Sequence, residues 1–251
     1  MPELKLAVRM LARDWRAGEL RILALALVIA VASVTSVGFF ADRVRQALVR
    51  DAHQLLGADL VLVADHAWNR DMAAEIVRRG LAFAETASFI SMARQGDSAQ
   101  LTGIKAVSER YPLRGKLRVA AGLNLPDNET DVLPLLGTAW IDERLALALS
   151  LQLGDAVEVG KLRLTIGAII TLEPDRSASF FNFAPRLIMR VEDLADSGLV
   201  TTGSRVTYAL LAAGEPEAIA AFEAWVRPRL GRGESLQSLA NARPEIRNTL
   251  D

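Results

Sequence analysis

The stretch from Ile22 to Ala41 reads ILALALVIAVASVTSVGFFA, 20 consecutive residues without a charge, bounded by Arg21 and Asp42. At about 1.5 Å of rise per residue a helix of this length is about 30 Å long, the thickness of a bilayer's hydrocarbon core. A helix also pairs its own backbone N–H and C=O groups, as lipid requires. The reading that decides the architecture is a membrane-spanning helix over 21–42. Arg21 marks one boundary, and Phe39 and Phe40 lie near the other, where bulky rings sit at the interface. The alternatives are a cleaved signal peptide, with Ala32-Ser33 or Thr35-Ser36 as the peptidase site, and a buried core helix. A signal peptide has an apolar region of about 7–15 residues, and this run is longer.

Upstream, residues 1–20 predict an amphipathic helix lying in the membrane surface. Leu4, Ala7, Val8, Leu11 and Trp15 fall on one side at helical spacing, and Lys5, Arg9, Arg13 and Arg16 on another. Trp15, Arg16, Arg21, Phe39 and Phe40 are the candidate membrane-anchoring residues, and Gly18 is a hinge between the two helices. Five cations precede the span, while Arg43, Arg45 and Arg50 follow it. That bias puts the N-terminus in the cytoplasm and the rest of the chain outside.

Composition narrows the chemistry. The 251 residues carry a net charge of -1, which argues against a bulk nucleic-acid binder. There is no cysteine, so disulfides, thiolate metal sites and cysteine nucleophiles are excluded. Only His53 and His66 are available for imidazole chemistry. No phosphate-binding loop, nucleophile elbow or zinc-protease helix occurs. The expectation is a chain with no catalytic residues, no cofactor and no metal.

No helix breaker lies between Gly38 and Gly57, which predicts that the spanning helix continues outside as a stalk. Residues 43–251 then read as an α+β domain. A buried strand over 58–64 precedes a helix over 68–79, with Asn69 as its N-cap and Gly80 as its stop. Strands over 82–95 and 98–108 flank a turn at Gly96-Asp97. A β-rich subdomain follows over about 116–212. It contains a loop-rich start, a helix over 141–153 stopped by Gly154, and strands over 156–159, 162–172, 186–190 and 205–211. A helix over 216–229 begins at Pro216, and the polar segment from Leu236 on predicts helix after Pro244. Asp142 and Glu143 open a helix and read as its cap. Glu173-Pro174-Asp175 reads as a turn rather than a pair of catalytic acids. The loop Ser177–Pro185 carries Phe180, Phe181 and Phe183, which pack on the core or serve as a candidate contact for a substrate or partner.

Three segments resemble a known family. They are Gln100–Val107 (QLTGIKAV) with Tyr111–Gly115 (YPLRG), Leu153–Gly160 (LGDAVEVG), and Glu173–Asp175 with Ala184–Leu187 (APRL) and Gly203–Thr207 (GSRVT). Together with the order of helix, span and α+β domain, they resemble the start of an FtsX/MacB-type ABC transporter permease, of the YbbP-like subgroup. The resemblance implies one N-terminal transmembrane helix with a helical stalk, then a mixed α+β, MacB-like periplasmic core domain with a small β-rich subdomain. It implies a bacterial inner-membrane location and the lipid bilayer as surroundings. It also implies a separate cytoplasmic ABC ATPase, pairing as a homo- or pseudo-dimer, a lipid-like, lipoprotein or other amphiphilic cargo, and no nucleic-acid partner. Such permeases carry further spans, so the chain is expected to be the N-terminal portion of a longer permease. A single-pass periplasmic binding or adaptor protein is the alternative.

Overall fold

The computed structural model describes residues 13, 18–178, 184–201 and 203–238. By its packing the chain divides into Met1–Arg50 and Asp51–Asp251. Helix α1 (Glu19–Leu56, 38 residues) begins in the first unit and runs unbroken past Asp42. Its segment Arg21–Val44, 24 residues, is long and apolar enough to cross a membrane, and none of it is buried. Phe39 is 65% and Phe40 70% exposed. The Arg43 guanidinium lies 5.9 Å from the centre of the Phe39 ring. Thr35 Oγ1 donates to the Val31 carbonyl at 2.7 Å, so its hydroxyl is satisfied inside the helix. The expected surface helix, with Trp15 and Arg16, lies outside the described residues apart from Arg13 and the residues from Gly18 on.

The second unit starts with a split β-α-β arrangement. Strand β1 (Leu60–Ala64) leads through α2 (Arg70–Arg78) to β2 (Ala82–Gln95). Near the end of the chain, β10 (Thr207–Ala213) leads through α4 (Pro216–Val226) to β11 (Glu234–Ser238). The strands order as β11-β1-β10-β2, with β10 and β11 antiparallel to β1 and β10 antiparallel to β2. Both crossovers therefore connect parallel strands, and each uses a helix to do so. The unalternating run LVLVA of β1 suits a strand covered on both sides. Leu60 and Leu62 pack with Leu210, Ile76, Phe222 and Val226 beneath the helices, whereas Val61 packs on the other face with Leu211, Ala84 and Leu56. Asn69 caps α2 as its side chain accepts from the Asp71 N–H at 3.2 Å.

Between β2 and β10 the chain builds a barrel from β2, β3 (Ser98–Val107), β9 (Arg186–Arg190), β6 (Thr138–Asp142), β8 (Leu162–Leu172) and β7 (Ala156–Val159). Each pairs with the next, and β7 returns to β2 at Ala93↔Val159, which closes the ring. Strand alternation fills the interior: Phe89 opposes Ile104, Ile104 opposes Leu187, Leu187 opposes Ile141, and Val157 opposes Leu164, and all of these are buried in one cluster. Short helix α3 (Glu143–Leu149) adds Leu145, Ala146 and Leu149 to the same core. A hairpin of β4 (Leu117–Ala120) and β5 (Asp127–Thr130) extends the sheet from β8.

The structure differs from the sequence reading in several places, among them β4 and β5 in the loop-rich start. The 141–153 segment begins as strand: Trp140, Ile141 and Asp142 belong to β6, and the helix ends at Leu149 with Ser150 at φ 54. Asp142 is the cap as expected, since its Oδ1 accepts from the Leu145 N–H at 2.9 Å. Strand β10, placed by the sequence in the 116–212 stretch, sits between β1 and β2, while β2 and β3, placed before that stretch, help to close the barrel. Strand β11 has no counterpart in the sequence reading, and the helix expected after Pro244 lies outside the described residues.

Candidate functional site

The β3 alternation that sends Ile104 and Ala106 inward sends Lys105 out of the barrel. There it is enclosed: its side chain is 5% exposed. The ammonium has three N–H donors and finds three partners. It donates to Glu173 Oε1 at 2.8 Å, to the Asp175 carboxylate at 2.6 and 2.7 Å, and to the Tyr111 hydroxyl at 2.8 Å. Tyr111 in turn donates to Asp175 Oδ1 at 2.5 Å. Arg186 Nε, on β9, lies 2.9 Å from Glu173 Oε2. That oxygen has no aligned hydrogen-bond donor, so the contact is an ion pair. Two cations and two carboxylates are thus held together, with Glu173 fully enclosed.

The electrostatics follow from this enclosure. Burial pushes the Tyr111 phenol well above its ordinary range, and the Asp175 and Glu173 charges push it the same way, so it stays a donor. Burial by itself would raise the Glu173 carboxyl. The Lys105 and Arg186 charges and the Lys105 hydrogen bond outweigh it and hold that group below the ordinary value.

The cluster adjoins the residues at which α1 gives way to β1. Gly57 ends the helix at φ 65, a conformation that disfavours side chains, and a Cβ there would stand 3.4 Å from the Asp175 Cβ. The Gly57 carbonyl accepts from the Leu113 and Arg114 N–H groups, both at 2.9 Å. The Arg114 guanidinium holds Asp59 through two bonds, at 2.9 and 2.7 Å. Asp59 Oδ2 also accepts from the Gly214 N–H at 3.0 Å. Nearby, Arg176 reaches Asp142 at 2.7 Å, and Arg144 donates to the Ala184 carbonyl at 3.0 Å.

The sequence reading did not single out Lys105, Tyr111, Arg114 or Arg186, and it took Glu173 and Asp175 for a turn. They do form a turn, the short 3-10 segment Pro174–Ala178, but their carboxylates serve the buried cluster. The available signal was a lysine within the apolar strand of QLTGIKAV and an arginine opening the apolar RLIM. The contact candidates Phe180, Phe181 and Phe183 lie outside the described residues.

A second charged group closes the sheet edge. His66 Nδ1 lies 2.9 Å from Asp65 Oδ1, and its Nε2 lies 3.2 Å from Glu234 Oε1 on β11. The hydrogen bond to Asp65 and the Glu234 charge raise the imidazole pKa against some desolvation, and the Trp68 ring flanks it. Because the folded pKa lies above the unfolded one, this clamp is fully present below the unfolded pKa and is lost as pH rises through the folded one. The urea midpoint is expected to fall between about pH 6 and pH 8. His66→Gln should flatten that part of the profile, and an unchanged profile in the variant would show that the clamp is idle.

Residues 22–229 match the family model for the MacB-like periplasmic core domain. The chain is 32% identical over 218 residues to the uncharacterized ABC transporter permease YbbP of Escherichia coli (strain K12), covering 87% of this chain and 26% of that protein. It thus spans about a quarter of the length of that relative. Among solved structures, the periplasmic region of MacB from Actinobacillus actinomycetemcomitans aligns with a TM-score of 0.49 at 10% identity, over 79% of this chain and 95% of that one. The extracellular domain of the noncanonic ABC-type transporter YknZ from Gram-positive bacteria aligns at 0.46 and 13% identity, over 71% of this chain and 100% of that one. The cluster joins residues from the segments that carried the sequence resemblance, 100–107, 111–115, 173–175 and 184–187. The chain belongs to the FtsX/MacB-type ABC transporter permeases that carry the MacB-like periplasmic core domain.

Proposed function

We propose that the chain is the N-terminal part of the membrane permease subunit of an ABC exporter. It moves a lipid-like, lipoprotein or other amphiphilic cargo with energy from a separate cytoplasmic ATPase. In this reading α1 crosses the bacterial inner membrane over 21–42, anchored by Arg21, Phe39 and Phe40 together with Trp15 and Arg16. The N-terminus is cytoplasmic, the domain is periplasmic, and two such permeases pair. The observation that carries the reading is the strand register at the sheet edge. Ser238 at the end of β11 lies opposite Leu60, so the chain leaves the sheet at the strand end where it entered. Entry and exit at one side of the sheet suit a domain inserted between membrane segments. The role is that of a transport component, in which the domain moves cargo and the ATPase supplies the chemistry.

The test uses the native absence of cysteine. Asp97→Cys, on the exposed β2–β3 turn, should react with a membrane-impermeant maleimide in intact spheroplasts. The permease containing this segment, reconstituted with its ATPase in proteoliposomes, should release a fluorescent lipopeptide only when ATP is added. A cysteine that labels only after lysis would reverse the orientation, and release independent of ATP would overturn the exporter reading.

A further inference from the structure

We propose that Lys105 is the positioning residue for the Gly57 peptide, the point at which the domain takes hold of the end of α1. The inference deepens the permease reading and rests on it, because the peptide matters for transport only if α1 carries motion. One ammonium reaches this peptide by two routes. Through Asp175, whose carboxylate it binds at 2.6 and 2.7 Å, it holds a side chain against Gly57 where a Cβ would stand 3.4 Å away. Through Tyr111, whose hydroxyl it binds at 2.8 Å, it holds the loop whose Leu113 and Arg114 N–H groups both bond the Gly57 carbonyl. Glu173 and Arg186 complete the charge balance from the barrel side and keep Lys105 seated on β3.

Charge is the informative choice here. Apolar residues of similar volume would serve stability as well as a buried ion cluster does, or better. Hydrogen-bonded charges instead fix one geometry, and they make departure from it a discrete event.

The experiment is amide hydrogen exchange on the full chain in detergent micelles. Tyr111→Phe deletes one hydroxyl and keeps the ring. It should speed exchange at Leu113 and Arg114 by about tenfold, the response to losing a buried hydrogen bond. The barrel amides of Gly154 and Ile166, bonded to Ile166 and Asp155, should stay within about twofold of the parent. Lys105→Met should act in the same direction and more strongly, and if that variant does not fold, Tyr111→Phe decides. Unchanged exchange at Leu113 and Arg114, or an equal increase at every amide, would overturn the assignment. These outcomes are read without any transport assay. A positive exchange result with no ATP-dependent cargo release would therefore discard the exporter reading alone.

Discussion

Glu173→Gln is expected to destabilise the domain by about 3–5 kcal/mol, the range for removing one partner of a buried ion pair. The side chain is 0% exposed, with Lys105 at 2.8 Å and Arg186 at 2.9 Å. The substitution removes the carboxylate beside Arg186 and leaves Lys105 with Asp175. At about 2–4 °C per kcal/mol for a domain of this size, the melting point should fall by about 10 °C. Tryptophan fluorescence in urea titrations of the full chain would report the change through Trp140, which is buried against the same cluster of side chains as Tyr111. Lys116→Ala supplies the contrast. Its partner Asp131 is exposed, and loss of such a pair should cost under about 1 kcal/mol. The sign with pH is fixed as well. The Glu173 carboxyl is held below its ordinary value, so its contribution is present above the unfolded pKa and is lost as pH falls through the folded one. Glu173→Gln should remove that acid-sensitive part. A loss below about 1 kcal/mol would show that the surroundings admit enough water to screen the cluster.

Val28→Arg is expected to disfavour membrane insertion by about 3 kcal/mol, the price of an arginine near the centre of a span. Val28 lies well inside Arg21–Val44 and is 63% exposed, so no protein group shields the new charge. Each 1.4 kcal/mol is about tenfold, so the inserted fraction should fall by about a hundredfold where insertion is marginal. Alkaline extraction of membranes would read the shift, with the variant moving to the soluble fraction or being degraded. Full retention in the membrane pellet would count against a span at this position. Ile90→Arg, on an exposed face of β2, should leave the distribution unchanged.

What could be read from residue order was whatever short-range chemistry decides. The charge-free run at 22–41 gave the apolar helix, Asn69 gave a cap, and Gly96-Asp97 gave the β2–β3 turn. The start of the 141–153 segment reads as helix because Ile141 is apolar in either structure, and only pairing with β8 and β9 makes it strand. The barrel was out of reach for a related reason. Its closure depends on two residue pairs between β2 and β7, which lie some sixty positions apart, and no local signal encodes them. The same holds for the ion cluster. Lys105, Tyr111, Glu173 and Arg186 sit in four separate segments, and each looks ordinary until β3 and β9 pair in parallel and bring them together.

The register of β1 has a mechanical consequence. This strand is flanked on both sides by antiparallel neighbours, with Leu60–Ala64 matched to Tyr208–Ala212 on one side and to Glu234–Ser238 on the other. Tension applied lengthwise at Leu60 does not peel the rungs apart one at a time. It loads the whole ladder to β10 at once, in shear, so the strand behaves as a tendon set in the sheet rather than as a zipper.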